Sequence, residues 1–164
     1  FADTKQHTNF FFTGLMFVGG SSGSVAGGIK VNALAVALVA LLSTIRKNNQ
    51  ASAFGREISE VQIQHAMTIG SIATAFVFFI SLLLIFSESS KQIPFLNLLF
   101  ESVSAFGTSG LTTALTSSLS AWGHIILMVT MFSGRIGTLL LVLTMPNRTT
   151  NTTFRFAQER VTIG

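Results

Sequence analysis

The 164-residue chain is 49% hydrophobic and only 10% charged, with a mean hydropathy of +0.63, against roughly a quarter charged in soluble domains. That is a membrane composition, and the absence of cysteine excludes disulfides and thiolate metal sites. A net charge of +4 and a pI near 10.4 do not point to nucleic acid, because the ten basic residues are scattered rather than gathered on one face.

The sequence opens at Phe1 with no initiator Met and no charged segment before an apolar run. It therefore reads as an internal or C-terminal piece of a longer protein, with no signal peptide. From Asn9 to Ile45, 37 residues carry one charge, Lys30. At about 1.5 Å per residue this is too long for one straight crossing and too short for two ordinary ones. Phe10 to Val18 and Ile29 to Ile45 are predicted as two helical pieces of one crossing, interrupted by "GGSSGSVAGGIK".

Three readings compete for that interruption. A phosphate loop needs a Lys-Ser/Thr pair after its last glycine, whereas Ile29 precedes Lys30 and Val31 follows it, so the match fails where phosphate and magnesium would be held. Small residues that let two helices approach closely in lipid are the plain structural reading. The third is a flexible plug or gate in a pore, with Gly19, Gly20, Gly23, Gly27 and Gly28 supplying mobility and Ser21, Ser22 and Ser24 supplying ligands for water or an ion. The breadth of the break suits a gate better than packing.

After a linker over 46–66 comes the clearest span, Met67 to Phe86, twenty residues without a charge. Next, Pro94 suits a first helical turn, and Phe95, Leu98, Leu99, Ser102 and Val103 share a helical face about ten residues long. A segment that short cannot span, so a re-entrant half-helix ended by Gly107 and Gly110 is expected. The last span is Trp122 to Met145, apolar except for His124 and Arg135, with Trp122 placed as an interfacial anchor. A cation at the depth of Arg135 costs about 2.5 to 3.5 kcal/mol on insertion scales and needs an aqueous cavity or a polar partner. In a cation pathway it would raise the barrier to permeation; the alternative is hydrogen bonding to neighbouring carbonyls. With three crossings and one dip, Arg46, Lys47, Arg56, Arg148, Arg155 and Arg160 share one side and Lys5 and Lys91 the other. That asymmetry puts the first group, with the C-terminal tail, in the cytoplasm.

Non-helical backbone at membrane depth survives only where protein buries it or where it lines water. Two such segments are expected, Gly19 to Gly28 and Ser104 to Thr108. The half-helix would aim the negative end of its dipole at the bilayer middle, and the turn would offer the carbonyls of Ser104, Ala105, Phe106 and Gly107, with Gly107 free to adopt a backbone conformation closed to other residues. This is a cation filter in outline; a lipid-interface hairpin whose glycines merely permit the turn fits the pattern equally.

"MFVGG" at Met16 to Gly20 and "MFSGR" at Met131 to Arg135 fall in equivalent places, each in the span after an outside-facing loop. The echo suggests a repeat of outer helix, pore half-helix and inner helix, with one full copy and the inner helix of the preceding one. The fold class is thus an all-α membrane protein, helix–pore loop–helix, with a re-entrant half-helix and a broken inner helix.

"GGSSGSVAGGIK", "FESVSAFGTSGLT", "MFSGRIGTLLL" and the terminal "ERVTIG" together resemble the C-terminal part of the KtrB family, the membrane subunits of Ktr potassium uptake systems within the Ktr/Trk/HKT superfamily. The resemblance runs over essentially the whole chain. It implies four pseudo-repeats around one pore, a homodimer with one pore per subunit in the cell membrane, and a cytosolic ring of RCK subunits that alone carry nucleotide. On that pattern residues 1–45 are the third repeat's inner helix, 46–66 a cytoplasmic linker, 67–145 the fourth repeat (outer helix 67–86, pore helix and filter 94–113, inner helix 121–145), and 146–164 a cytoplasmic tail. Ser104, Ala105, Phe106, Gly107 and Thr108 match the fourth filter strand, with Gly107 its single glycine; Gly19 to Gly28 matches the intramembrane gating loop; Arg135 matches the inner-helix arginine that faces the pore. The implied cargo is K+, with Na+ coupling left open. With the first two repeats and the third filter strand absent, this chain holds a quarter of a filter and should not conduct alone. One glycine per repeat offers few stacked carbonyl sites, so fast uptake with modest selectivity follows.

Other chemistry is weakly supported. His7, His65 and His124 lie far apart without carboxylates at ligand spacing. "GSSGS" only approaches a nucleophile motif and lacks a matching His and acid. Glu101 reads as a solvated mouth or helix-packing residue rather than a general base. Asn147 and Asn151 begin glycosylation-like triplets on the side counted as cytoplasmic, and are taken as chance. The competing reading of the whole is a non-transporting membrane scaffold packed through small residues.

Overall fold

The computed structural model describes residues 6–21, 24, 26–46, 52–53, 56–89, 91 and 93–144, with side chains of 52, 53, 56 and 137–144 left aside. Ser22 and Gly23 of the expected gate, Lys5, Lys47, and everything from Met145 on, including the tail arginines and "ERVTIG", lie outside the described residues.

Among the described residues, five α-helices carry the fold: α1 Gln6–Phe17, α2 Val31–Ile45, α3 Glu60–Ser87, α4 Phe95–Gly107 and α5 Ala121–Thr144. Their hydroxyl residues show why a sequence with so many serines and threonines stays helical in apolar surroundings. Thr13, Ser81, Ser102 and Thr130 each donate to the carbonyl four residues back, at 2.7 to 2.9 Å, so none is left without a partner.

The linker contains a feature the sequence does not announce, a small antiparallel ladder of β1 Ser52–Ala53 and β2 Arg56–Glu57, pairing Ser52 with Glu57 and Ala53 with Arg56. Helix α3 then starts at Glu60, seven residues before the apolar run, with an acidic residue in its first turn where the helix dipole favours one. At 28 residues, about 42 Å, it is long and apolar enough to cross a membrane. Pro94 stands just before α4 rather than inside its first turn.

Helix α4 sits in the middle, packed by α1, α3 and α5, while α2 packs on α3. Every residue from Phe100 to Gly107 is buried. Two apolar clusters flank it: Phe100, Val103 and Phe106 with Met16, Ile29, Ala73 and Val77, and Leu98 and Ala105 with Ile80, Leu84, Leu119 and Leu127. The outer faces carry Phe10, Phe11, Phe78, Phe79, Phe86 and Phe132, all exposed. A short helix with its last eight residues buried inside a ring of outward-facing phenylalanines places the polar events at the end of α4.

Candidate functional site

The end of α4 is closed by its own backbone. Thr108 donates its amide to Ala105 and Ser109 donates to Ser104, at 3.2 and 3.1 Å, the pair of bonds of a Schellman cap. Thr108 takes the left-handed conformation, φ 51°, which is strained for a β-branched residue. This corrects the expectation that Ser104 to Thr108 is non-helical: Ser104 to Gly107 all stay within α4, whose backbone bonds they continue, and Thr108 alone leaves it, so Gly107 takes no special conformation. Its lack of a side chain serves a close approach instead: a Cβ there would lie 2.5 Å from the carbonyl oxygen of Met16 in α1.

The interruption between α1 and α2 has a closed neck. Gly19 donates to the Ile29 carbonyl at 2.7 Å, Ile29 to Phe17 and Val31 to Gly20, both at 3.2 Å, so the entering and leaving strands run parallel. Lys30 turns back and donates to the carbonyls of Ser24 and Ala26 at 2.8 and 2.6 Å. Gly27 and Gly28 are buried while Ser21 is exposed. The glycines at this neck permit tight backbone contact as much as mobility.

Neck and half-helix meet. The Gly27 amide donates to Thr108 Oγ1 at 3.0 Å, and a Cβ on Gly27 would lie 2.6 Å from the Phe106 carbonyl oxygen. From the other side α5 presents Gly134, where a Cβ would overlap the same Phe106 oxygen. The Phe106 ring is held between Phe17 and Phe76, centroids 6.1 and 5.9 Å away. So the structure brings Ser104 to Thr108, Gly19, Gly20, Gly27 and Gly28 into one junction, with Arg135, exposed, one residue beyond Gly134. No hydrogen bond joins Arg135 to the described part of the loop.

Two residues were missed or misread in the sequence. Lys30 was weighed only as a failed phosphate-loop lysine, although a cation beside a run of glycines is well placed to gather loop carbonyls. Of the two readings of Glu101, the solvated mouth fails and the helix-packing one fits: it is 4% exposed, one helical turn before Ser104 on α4. Its Oε1 accepts from Thr112 Oγ1, Thr113 N and Thr113 Oγ1 at 2.6, 2.9 and 3.1 Å, and Oε2 accepts from Thr116 Oγ1 at 2.9 Å. A second buried carboxylate, Glu88, follows α3; it accepts from the Ser120 amide at 2.7 Å and pairs with Lys91 at 2.9 Å. Burial would raise its pKa, but the hydroxyl and amide of Ser120 and the Lys91 ammonium outweigh that and hold it below the ordinary 4.5.

The loop between α1 and α2 docked on the capped end of a short buried helix, within helices that turn apolar faces outward, fits an all-α membrane protein. The chain belongs to the TrkH family of cation transport proteins, which it matches over residues 1–150. It is similar to Ktr system potassium uptake protein D of Bacillus subtilis, 36% identical over 160 residues covering 98% of this chain and 35% of that protein. Ktr system potassium uptake protein B of the same organism is 37% identical, over 87% of this chain and 31% of the relative. The potassium/sodium uptake protein NtpJ of Enterococcus hirae is 30% identical, over 92% and 34%. The chain spans about a third of the length of these curated relatives.

Proposed function

We propose that the chain is the C-terminal part of the pore-forming subunit of a potassium uptake transporter, in which Ser104 to Thr108 form one filter strand and Gly19 to Gly28, with Arg135, form the gate. The observation that carries this reading is the junction itself: Gly27 of the loop and Gly134 of α5 both close on the carbonyl of Phe106 at the end of a buried half-helix. A half-helix that ends at depth presents the negative end of its dipole, where a cation is favoured. In the cap the Ser104 carbonyl accepts from both Thr108 and Ser109 while the Ala105 carbonyl accepts from Thr108, so of these two it is Ala105 that keeps a second lone pair for an ion. The Gly27–Thr108 contact at the end of α4 supports reading the loop as its gate.

The same reading makes α4 a re-entrant helix of the last of four repeats, places the C-terminus in the cytoplasm, and makes the whole protein a homodimer regulated by a cytosolic RCK-type ring that binds the nucleotide. K+ is the cargo, and the potassium/sodium name of one relative supports testing Na+ beside it. In the full-length protein, Gly107→Ser should weaken apparent potassium affinity or shift uptake toward sodium, and Arg135→Ala or deletion of 19–28 should raise flux and loosen control. Unchanged uptake kinetics in all three would favour the scaffold reading.

A further inference from the structure

The segment that leaves the half-helix is fastened back onto it by two side chains three residues apart, Glu101 and Ser104, which share one face of α4. Ser104 Oγ contacts Ser109 Oγ at 3.1 Å and donates to the Leu111 carbonyl. Glu101 takes the next stretch, gathering Thr112, Thr113 and Thr116 through three hydroxyls and one amide. Between them, Ser109, Leu111, Thr112, Thr113 and Thr116 are tied to the helix.

The backbone needs such fastening. Among the described residues, Thr108 and Ala114 are the non-glycine positions with positive φ, 51° and 65°; the first precedes the segment that Ser104 and Glu101 hold and the second lies within it. Left-handed backbone at such residues is strained and persists only where the surroundings over-determine it. Thr112 Oγ1 also accepts the Ala114 amide at 3.1 Å, so the strained residue hangs from a hydroxyl that Glu101 itself orients.

We propose that Glu101 is a positioning residue for ion discrimination: by bracing Thr112 to Thr116 against the half-helix it fixes the turn from Gly107 to Gly110, and with it the spacing of the oxygens beside the ion. This rests on the filter reading above. Glu101 touches no ion in this role; it acts as an acceptor, and its shape and acceptor count matter more than its charge. Glutamine can do the same work. Its Oε1 takes the three Thr112 and Thr113 donors, its Nε2 donates to Thr116 Oγ1, and Thr116 turns its own hydrogen to Thr112 Oγ1, 2.9 Å away. Valine leaves the Thr113 amide and three hydroxyls without the buried acceptor.

The experiment compares Glu101→Gln, Glu101→Val, Thr113→Val and Thr116→Val in the full-length protein, reconstituted in liposomes, reading apparent affinities for K+ and Na+ and the hydrogen exchange of the Thr113 amide. Glu101→Val should shrink the K+ over Na+ preference by about fivefold or more and speed Thr113 exchange, while Glu101→Gln stays within about twofold of the parent on both readouts. The threonine variants should shift the preference in the same direction by less, and they carry the test if Glu101→Val fails to assemble. Glu101→Gln falling as far as Glu101→Val would make charge, not bracing, the cause and overturn the proposal. So would an unchanged preference in the valine variants. A parent protein that takes up neither ion, yet shows a Thr113 amide protected in the Gln and not the Val variant, would sink the transport reading and leave the brace standing.

Discussion

The amide of Gly27 and the hydroxyl of Thr108, 81 residues apart in sequence, meet at 3.0 Å, and through this bond the interruption in the first helix pair grips the end of the half-helix. A neutral hydrogen bond of this kind contributes about 0.5 to 1.5 kcal/mol net, enough to bias a loop between two positions. Thr108→Val keeps the branched shape and removes the acceptor. It should speed hydrogen exchange at Gly27 and raise resting uptake in the full-length protein, whereas Thr108→Ser keeps both near the parent. If Val and Ser variants behave alike, the bond does not hold the loop.

How much of this was legible in the sequence depends on what kind of interaction decides each element. An uncharged apolar run marks α3, and an apolar run bounded by Pro94 and Gly107 marks α4, because burial in an apolar medium acts on every residue of the run. The early start of α3 at Glu60 and the Ser52–Glu57 ladder hang on polar residues with no such periodic signal. At the junction, the glycines of the interruption and of "MFSGR" stand out in sequence, but their purpose does not: Gly107 and Gly134 are required by the carbonyls of Met16 and Phe106 on other helices, contacts that no local pattern encodes. The partners of Glu101 are hidden for the same reason, since its three threonines are recognisable only once the segment after α4 folds back.

Gly134 offers the sharpest packing contrast. A methyl group there would run into the Phe106 carbonyl, which is backbone and cannot swing aside. Gly134→Ala should cost about 1 to 3 kcal/mol as overpacking and displace α5 from α4. Gly14, inside α1, has nothing within 4 Å of a built Cβ, and Gly14→Ala should stabilise by about 0.5 to 1 kcal/mol through the unfolded chain alone. Thermal unfolding in detergent measures both; equal effects of the two alanines would show that the α5 contact is looser than the geometry states.

Glu88 links stability to acidity at the other end of the helices. Its carboxylate accepts the Ser120 amide just before α5 begins and pairs with Lys91, which also donates to the Ser118 carbonyl, so it ties α3 to α5 outside the apolar span. Because its folded pKa lies below the ordinary value, the unfolded chain binds its proton more readily. The stability it contributes is therefore fully present above the unfolded pKa of about 4.3 and is lost as pH falls through the lower folded value. Glu88→Gln should lower the unfolding temperature at neutral pH and flatten its acid limb, since glutamine has no proton to take up there. Melting profiles of parent and variant between pH 7 and 3 should converge at the acid end; parallel profiles across that range would show that Glu88 carries none of the acid sensitivity.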